Sequence, residues 1–288
     1  MVAAWTGVPD VERCIQALLP QLDPARDELI VAHNFPFVYP AASAGHASVH
    51  CLFADAATVP QLRSVGFAAS SGELVAFVED HVACSRGWAT AVIAGFAERV
   101  DGVGGPVDLG PGGKPLDWAA YFYDYSRVIP PKIDGRVRSL SGANMSWRRA
   151  FLDEQSIATR GEVLESALVA VSLERGIGMW LAGDAIVVHR RQDTLAHTLR
   201  LAFSLARSYA AERGASWPTS RRAVFAIGTA VLPALLLVRI LAAGLRSGRH
   251  AGRLVLALPW LLLLTAAWAV GEGAGYLLGG GRAGENWK

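Results

Sequence analysis

The spacing of apolar residues changes repeatedly along this chain, and each change marks an element. Short unbroken apolar runs at residues 2–4, 28–32 (ELIVA), 49–54 and 74–78 alternate with stretches where apolar residues return every three or four positions. Runs of that length predict strands buried on both faces, and the periodic stretches predict helices packed against them. Residues 8–22 place Val11, Ile15, Leu18, Leu19 and Leu22 on one face, with Pro9 and Asp10 at the start, where a first helical turn accepts them. Further helices are expected at 58–66, 87–100 and 162–175, the last stopped by Gly176, and at 148–154, opened by SLSGANMSW at 139–147. A last short strand is expected at 185–188. The Gly/Pro-rich passage GVGGPVDLGPGGKP cannot be regular throughout, and IPPKIDG, after the aromatic-rich residues 117–127, reads as an ordered loop or lid. Strands alternating with helices predict an α/β fold on a largely parallel sheet.

The pattern changes again beyond Pro218. Residues 223–238 and 254–271 are uncharged and apolar all round, and they reach spanning length if continued to Leu245 and Leu278. The reading is a catalytic or binding domain at 1–218 followed at 219–288 by a membrane hairpin, helices about 223–245 and 254–278, and a short polar tail. Two buried helices of a soluble core are the competing reading, and a pair lying shallowly in one leaflet is a third. The connection RSGRHAGR is basic, which sits awkwardly with two complete spans if the first domain is cytoplasmic.

Composition narrows the classes. The chain has 288 residues, 52% hydrophobic and 18% charged, enough for a sizeable core. A formal charge of +2, with basic residues scattered rather than interleaved with aromatics, excludes a nucleic-acid partner. Cys14, Cys51 and Cys84 are far apart and form no CxxC pair, which fits a reducing compartment. No basic region followed by a long apolar one opens the chain, so no cleavable signal is visible, and the first strand begins so close to Met1 that a few residues are expected upstream.

The chemistry starts where the fourth strand ends, with Glu79, Asp80 and His81 side by side. Clustered carboxylates repel, so they need water or a cation among them. The carboxyl ends of strands are where open α/β sheets bind ligands.

Several segments in a fixed order carry a resemblance: VAAWTG followed by VERCIQALLPQ, then ELIVAHN, EDH with GW soon after, GGPV at 104–107, SGANMSWRR at 141–149, and LESALVAVSLERG before AIVVHRR. Together they resemble family 2 glycosyltransferases over residue 1 to about 211. The resemblance implies a GT-A fold, a Rossmann-like nucleotide-diphospho-sugar transferase sheet, and inversion at the anomeric carbon in one displacement. It implies a divalent cation, Mg²⁺ or Mn²⁺, at the counterpart of the family's DxD signature, with Asp80 as ligand and Glu79 assisting. The third position departs from the pattern, and His81 is open to three readings: metal ligand, phosphate contact or turn cap. His189 joins this group, at the head of HRR, where the family gathers cationic side chains; Arg190, Arg191 and Arg200 stand nearby. Arg207, Trp5, Thr6, Asn34 and Asp55 are implied for the nucleotide-sugar, although VAHN replaces the expected acidic motif. Gly142 and Asn144 match the GxN segment facing sugar or acceptor. Counting back from Gly176, the general base falls on Glu165, with Ser166 where a second acid is usual and Glu162 in reserve. The implied partners are a nucleotide-sugar donor, best a UDP-sugar, a lipid-linked or polysaccharide acceptor, and the membrane. The alternative is a glycosyltransferase-like module that has lost its base and serves as a membrane scaffold. A nucleotidyltransferase would show a Gly-rich, basic phosphate loop near the first strand, and none is present; nor is a GxSxG nucleophile.

Overall fold

The computed structural model describes residues 1–39, 49–156, 161–190 and 194–281. Contacts divide these into two compact units, one taking in residues 1–110 and 130–190 and the other residues 111–129 and the chain from 194 onward.

The first unit is built on an eight-stranded sheet, and its first half is laid down as the periodicity predicts. Strands β1 (Val2–Ala4) and β2 (Leu29–His33) are buried at every residue. With β3 (Val49–Phe53) and β4 (Leu74–Glu79) they pair in parallel in the order β3-β2-β1-β4. Helix α1 (Val8–Leu18) turns Val11, Cys14, Ile15 and Leu18 inward, and a 3-10 turn at Leu19–Gln21 finishes the expected run. Helix α2 (Val59–Ala69) starts with Pro60 in its first turn.

The second half departs from expectation. The helix expected at 148–154 forms as α5 (Arg149–Glu154), but the segment SLSGANMSW that leads into it is more than its opening: its end forms strand β9 (Asn144–Arg148), antiparallel to both β4 and β6 (Gly102–Gly104). The cause is long-range. Met145 and Trp147 are completely buried, and Trp147 lies opposite Gly102, where a Cβ would be 2.7 Å from the indole. Glycine in β6 therefore makes the slot that a tryptophan in β9 fills, which no local window around either residue shows. Strands β10 (Met179–Leu181) and β8 (Gly135–Val137) complete the sheet in the order β4-β9-β6-β10-β8. The helix expected from Glu162 begins later: α6 spans Glu165–Arg175, closed by Gly176 at φ +70°, while Val163 is held in extended chain by a bond to the Pro60 carbonyl.

A small second sheet positions the site. β5 (Val82–Cys84) runs antiparallel to β11 (Val187–His189), which runs parallel to β7 (Val107–Leu109). Helix α3 (Trp88–Gly95) follows β5.

The second unit is helical. The aromatic-rich segment forms α4 (Pro115–Tyr125), and α7 (Leu195–Arg213) leads to α8 (Thr219–Gly228), a 3-10 turn, α9 (Leu232–Ser247) and α10 (Ala251–Leu278). Thr219–Ser247 and Ala251–Leu278 have mean hydropathies of 2.3 and 2.1 and are long and apolar enough to cross a membrane. Helices α4 and α7 cluster with this pair in the second compact unit. The polar tail beyond residue 281 and Arg191 lie outside the described residues.

Gly105 offers a test of the packing. A Cβ there would land on the Ala185 carbonyl, with the Ala185 Cβ 2.8 Å away, so both partners of the clash are backbone-bound and cannot rotate aside. Gly105→Ala is expected to lower stability by about 2–3 kcal/mol in thermal or urea denaturation; an unchanged melting temperature would contradict this packing.

Candidate active site

Register brings the chemistry to one edge. Ala4 pairs with His33, His33 with Phe53, and Ala3 with Glu79, so Trp5, Asn34, Asp55 and Asp80 all leave the sheet at aligned carboxyl ends. The small sheet then pairs His189 with Val82, and the Arg190 amide bonds the His81 carbonyl. Two histidines 108 residues apart thus become neighbours, their Nε2 atoms 2.8 Å apart and their rings perpendicular.

Asp80 is completely buried. Its Oδ2 accepts from the backbone amides of Trp5 and Thr6, both at 2.8 Å, and from the Thr6 hydroxyl at 2.7 Å. Its Oδ1 lies 3.1 Å from His81 Nδ1. An ionised carboxylate only accepts, so Nδ1 donates to Asp80 and His81 Nε2 is the nitrogen turned outward. Nε2 faces His189 Nε2 and Glu79 Oε2, the latter 3.3 Å away. Glu79, His81 and His189 hold ligand atoms all within 4.8 Å of one another. Octahedral bonds of about 2.1 Å leave neighbouring donors about 3 Å apart, close to the 2.8 Å and 3.3 Å that separate His81 Nε2 from His189 and Glu79, so the three residues could hold one divalent ion. Asp80 is placed behind this set, orienting His81 as carboxylates commonly orient ligating imidazoles. The Trp5 ring packs edge-on against His81, with centroids 5.0 Å apart.

Sequence reasoning missed Arg63. It sits in α2 among Leu62, Ser64, Gly66 and Phe67, is 6% exposed, and donates through Nη2 to the Gly142 carbonyl at 2.9 Å and to Glu79 Oε1 at 3.3 Å. A buried arginine needs partners, and an arginine inside an otherwise apolar helix window was the signal available. Gly142 is bonded on its other side as well, since its amide donates to Glu165. A Cβ at Gly142 would overlap the Glu165 carboxylate and come 2.9 Å from Arg63 Nη2. Glu165 therefore sits at the mouth of α6, linked to the histidine cluster through Gly142, Arg63 and Glu79. Its pKa is pushed up from 4.5 to about 7, first by burial and then by the Glu79 charge, against the opposing pull of Arg63 and the Gly142 amide.

The remaining residues are dispersed. Asn144 is buried and its amide is engaged on both ends: Oδ1 accepts from Trp88 Nε1 at 2.9 Å, and Nδ2 donates to the carbonyls of Ala185 at 2.7 Å and Pro106 at 3.4 Å. Asn34 donates to the Ala57 carbonyl, tying down the chain after β3. Asp55 and Glu162 are exposed. Arg207 belongs to the second unit, where its Nε bonds the Gly279 carbonyl beyond α10. A cavity of about 420 Å³ opens towards the other ends of the strands, beside Leu22, Leu29 and Leu74, away from the clustered groups.

No protein-family model and no curated protein matches this sequence. Among solved structures, the fold is similar to S. aureus TarS 1–349 in complex with UDP-GlcNAc, with a TM-score of 0.50 and 13% identity over 89% of this chain and 70% of that one. Weaker likenesses are to TarS 1–349 alone, TM-score 0.45 at 13% identity over 89% and 69% of the two chains, and to GalNAc-T7 with UDP, GalNAc and Mn²⁺, TM-score 0.49 at 14% identity over 66% of this chain. This chain spans only 43% of the GalNAc-T7 chain. Identities this low speak for the fold alone. The class so defined is the α/β fold expected from sequence: a mostly parallel sheet flanked by helices in the GT-A manner, followed by two apolar C-terminal helices.

Two substitutions separate the roles assigned by geometry. Asp80→Ala strands the Trp5 and Thr6 amides and is expected to cost about 3 kcal/mol of stability. His189→Ala is expected to weaken Mn²⁺ binding at least about tenfold with a smaller change in melting temperature; calorimetric metal titration and melting of both variants would expose the reverse order. Glu165 gives a second check. Its folded carboxyl keeps its proton up to about 7 while the unfolded chain releases it near 4.5, so the stability it adds is present below 4.5 and is lost as pH rises through 7. Glu165→Gln should therefore melt higher than the parent at pH 8 but not at pH 4, and equal shifts at both pH values would contradict the assignment.

Proposed function

We propose that this chain is a membrane-attached, metal-dependent, inverting glycosyltransferase of the family 2 type. It moves a sugar from a nucleotide-diphosphate donor, best a UDP-sugar, to a hydroxyl of a lipid-linked or polysaccharide acceptor. Residues 1–218 carry catalysis, on the cytoplasmic face of the cell membrane, and residues 219–288 carry the attachment. The observation that supports this best is the continuous chain of contacts from His189 through His81, Glu79, Arg63 and Gly142 to Glu165.

Each link has a task in that reaction. Glu79, His81 and His189 would hold the cation, and two imidazoles among three donors favour Mn²⁺ over Mg²⁺. Bound there, the ion supplies positive charge beside the departing diphosphate. Asp80 keeps His81 in the tautomer that can ligate, and Arg63 fixes Glu79 while offsetting its charge. Glu165 takes the acceptor hydroxyl's proton as the oxygen attacks the anomeric carbon. The bond to the diphosphate breaks on the opposite face and the nucleotide diphosphate leaves with that electron pair, so configuration inverts. A carboxylate titrating near neutrality is suited to this task. The second reading, a scaffold that has lost catalysis, draws on Ser166 and on the internal engagement of Asn144.

Titration of the full chain in detergent with UDP and with GDP, each with and without Mn²⁺, tests the proposal. The expected result is Mn²⁺-dependent binding of one nucleotide, abolished in His81→Ala. With a transferable donor, the rate should rise with pH to a plateau about a midpoint near 7, and Glu165→Gln should lose at least about a hundredfold in rate with nucleotide affinity kept. Nucleotide binding with no transfer and no effect of Glu165→Gln would favour the scaffold; no binding of either nucleotide would remove the transferase reading's central support and make the scaffold the better account.

A further inference from the structure

Within the second unit, α10 is enclosed along one side over its whole length. Near its start, His250 packs on Trp118 of α4, with ring centroids 4.5 Å apart. Midway, Trp268 meets Tyr123 of α4 at 6.2 Å and Tyr209 of α7 at 6.3 Å. Further on, α7 comes close enough that a Cβ on Gly271 would overlap the Phe203 carbonyl, and one on Gly275 would lie 2.7 Å from the Ala210 Cβ. Small residues at such spacing let helix backbones touch. What α10 leaves exposed is one stripe, including Leu256, Leu263, Val270 and Leu277, each seven residues from the next. Its partner stretch shows the same device at Val224, Val231 and Val238.

A spanning helix puts about 20 residues into hydrocarbon. Any such window in Ala251–Leu278 includes turns covered by α4 or α7, and these helices carry exposed Asp124, Arg200, Glu212 and Arg213. Two full spans would draw those charges into the lipid core, which is strongly unfavourable. Lying flat removes the conflict: the apolar stripes enter the acyl boundary while the charged helices stay above it. The exposed arginines fit the same placement. Arg239 follows Val238 directly, and Arg221, Arg246 and Arg253 are also exposed, at positions where long basic side chains can reach anionic headgroups. The basic turn then remains on the cytoplasmic side, in keeping with the usual distribution of positive charge.

We propose that the second unit lies in the plane of one leaflet of an anionic bilayer, with both ends of the helical hairpin and its turn on the same side. This rests on the membrane attachment proposed above and goes beyond it in topology. The test uses the full chain in right-side-out and inside-out membrane vesicles, in a Cys51→Ser background because Cys14 and Cys84 are buried. Ser247→Cys marks the turn, Thr219→Cys marks the hairpin's beginning, and a membrane-impermeant maleimide is the probe. Labelling of both from the same vesicle type is the expected result. Labelling from opposite types means two complete spans and overturns the in-plane placement while leaving attachment intact. Recovery of the protein outside the membrane fraction overturns attachment itself and points to a second copy covering the stripes. In a second measurement, the purified protein should float with phosphatidylglycerol-containing vesicles, and Val231→Asp with Leu263→Asp should reduce the bound fraction at least tenfold without changing the melting temperature; undiminished flotation would refute the role of the stripes.

Discussion

A carboxylate with no exposed surface must be given hydrogen-bond donors, and Asp80 collects them from two directions. The amides of Trp5 and Thr6 and the Thr6 hydroxyl come from the end of β1, and His81 comes from the turn after β4. These bonds hold the carboxyl ends of two central strands together. They also decide which nitrogen of His81 faces outward. Had Asp80 turned towards the cleft, its negative charge would have been available to a cation, but the turn would have lost its anchor and His81 its orientation.

The charges around that anchor balance one another. Glu79 is neighbour to a buried arginine on one oxygen and to His81 on the other. The same arginine, through the Gly142 carbonyl, holds the loop whose amide meets Glu165. Arg63 thus connects a candidate cation site to a candidate base. Glycine at 142 is what lets Arg63 and Glu165 converge on one backbone position. The elevated pKa of Glu165 has its main origin in this crowding, because burial disfavours the charged form more than one arginine and one amide favour it.

The helical unit follows a different rule. Its long apolar helices satisfy their backbone bonds internally, so their placement depends on side-chain packing alone. Glycines at 271 and 275 allow α7 to approach α10 within backbone contact, and the aromatics of α4 fill the space along the other half. The apolar surface that remains is confined to stripes, although the same sequence, read as hydropathy, looks apolar all round.

Part of the first half-sheet was legible because its inner strands are buried on both faces, and such strands write themselves as unbroken apolar runs; β1 and β2 are of this kind. The residues EDH, the Gly142 segment and Glu165 were legible as chemistry, since acids at a strand end, a glycine beside an amide and an acid at a helix start are local features. Strand β9 was not, because Trp147 takes its conformation from a slot made by Gly102. Arg63 was not, because a helix window shows an arginine but not what it reaches. Sequence alone thus determined the α/β alternation, the apolar C-terminal pair and the residue types available at the candidate site's edge. Only the tertiary structure decided that Asp80 faces inward, that His189 meets His81 across 108 residues, and that Arg63 joins them to Glu165. The physical reason is that periodicity reports which face of an element is buried, whereas the partner of a buried polar group is chosen by strand register and loop closure between segments far apart in the chain.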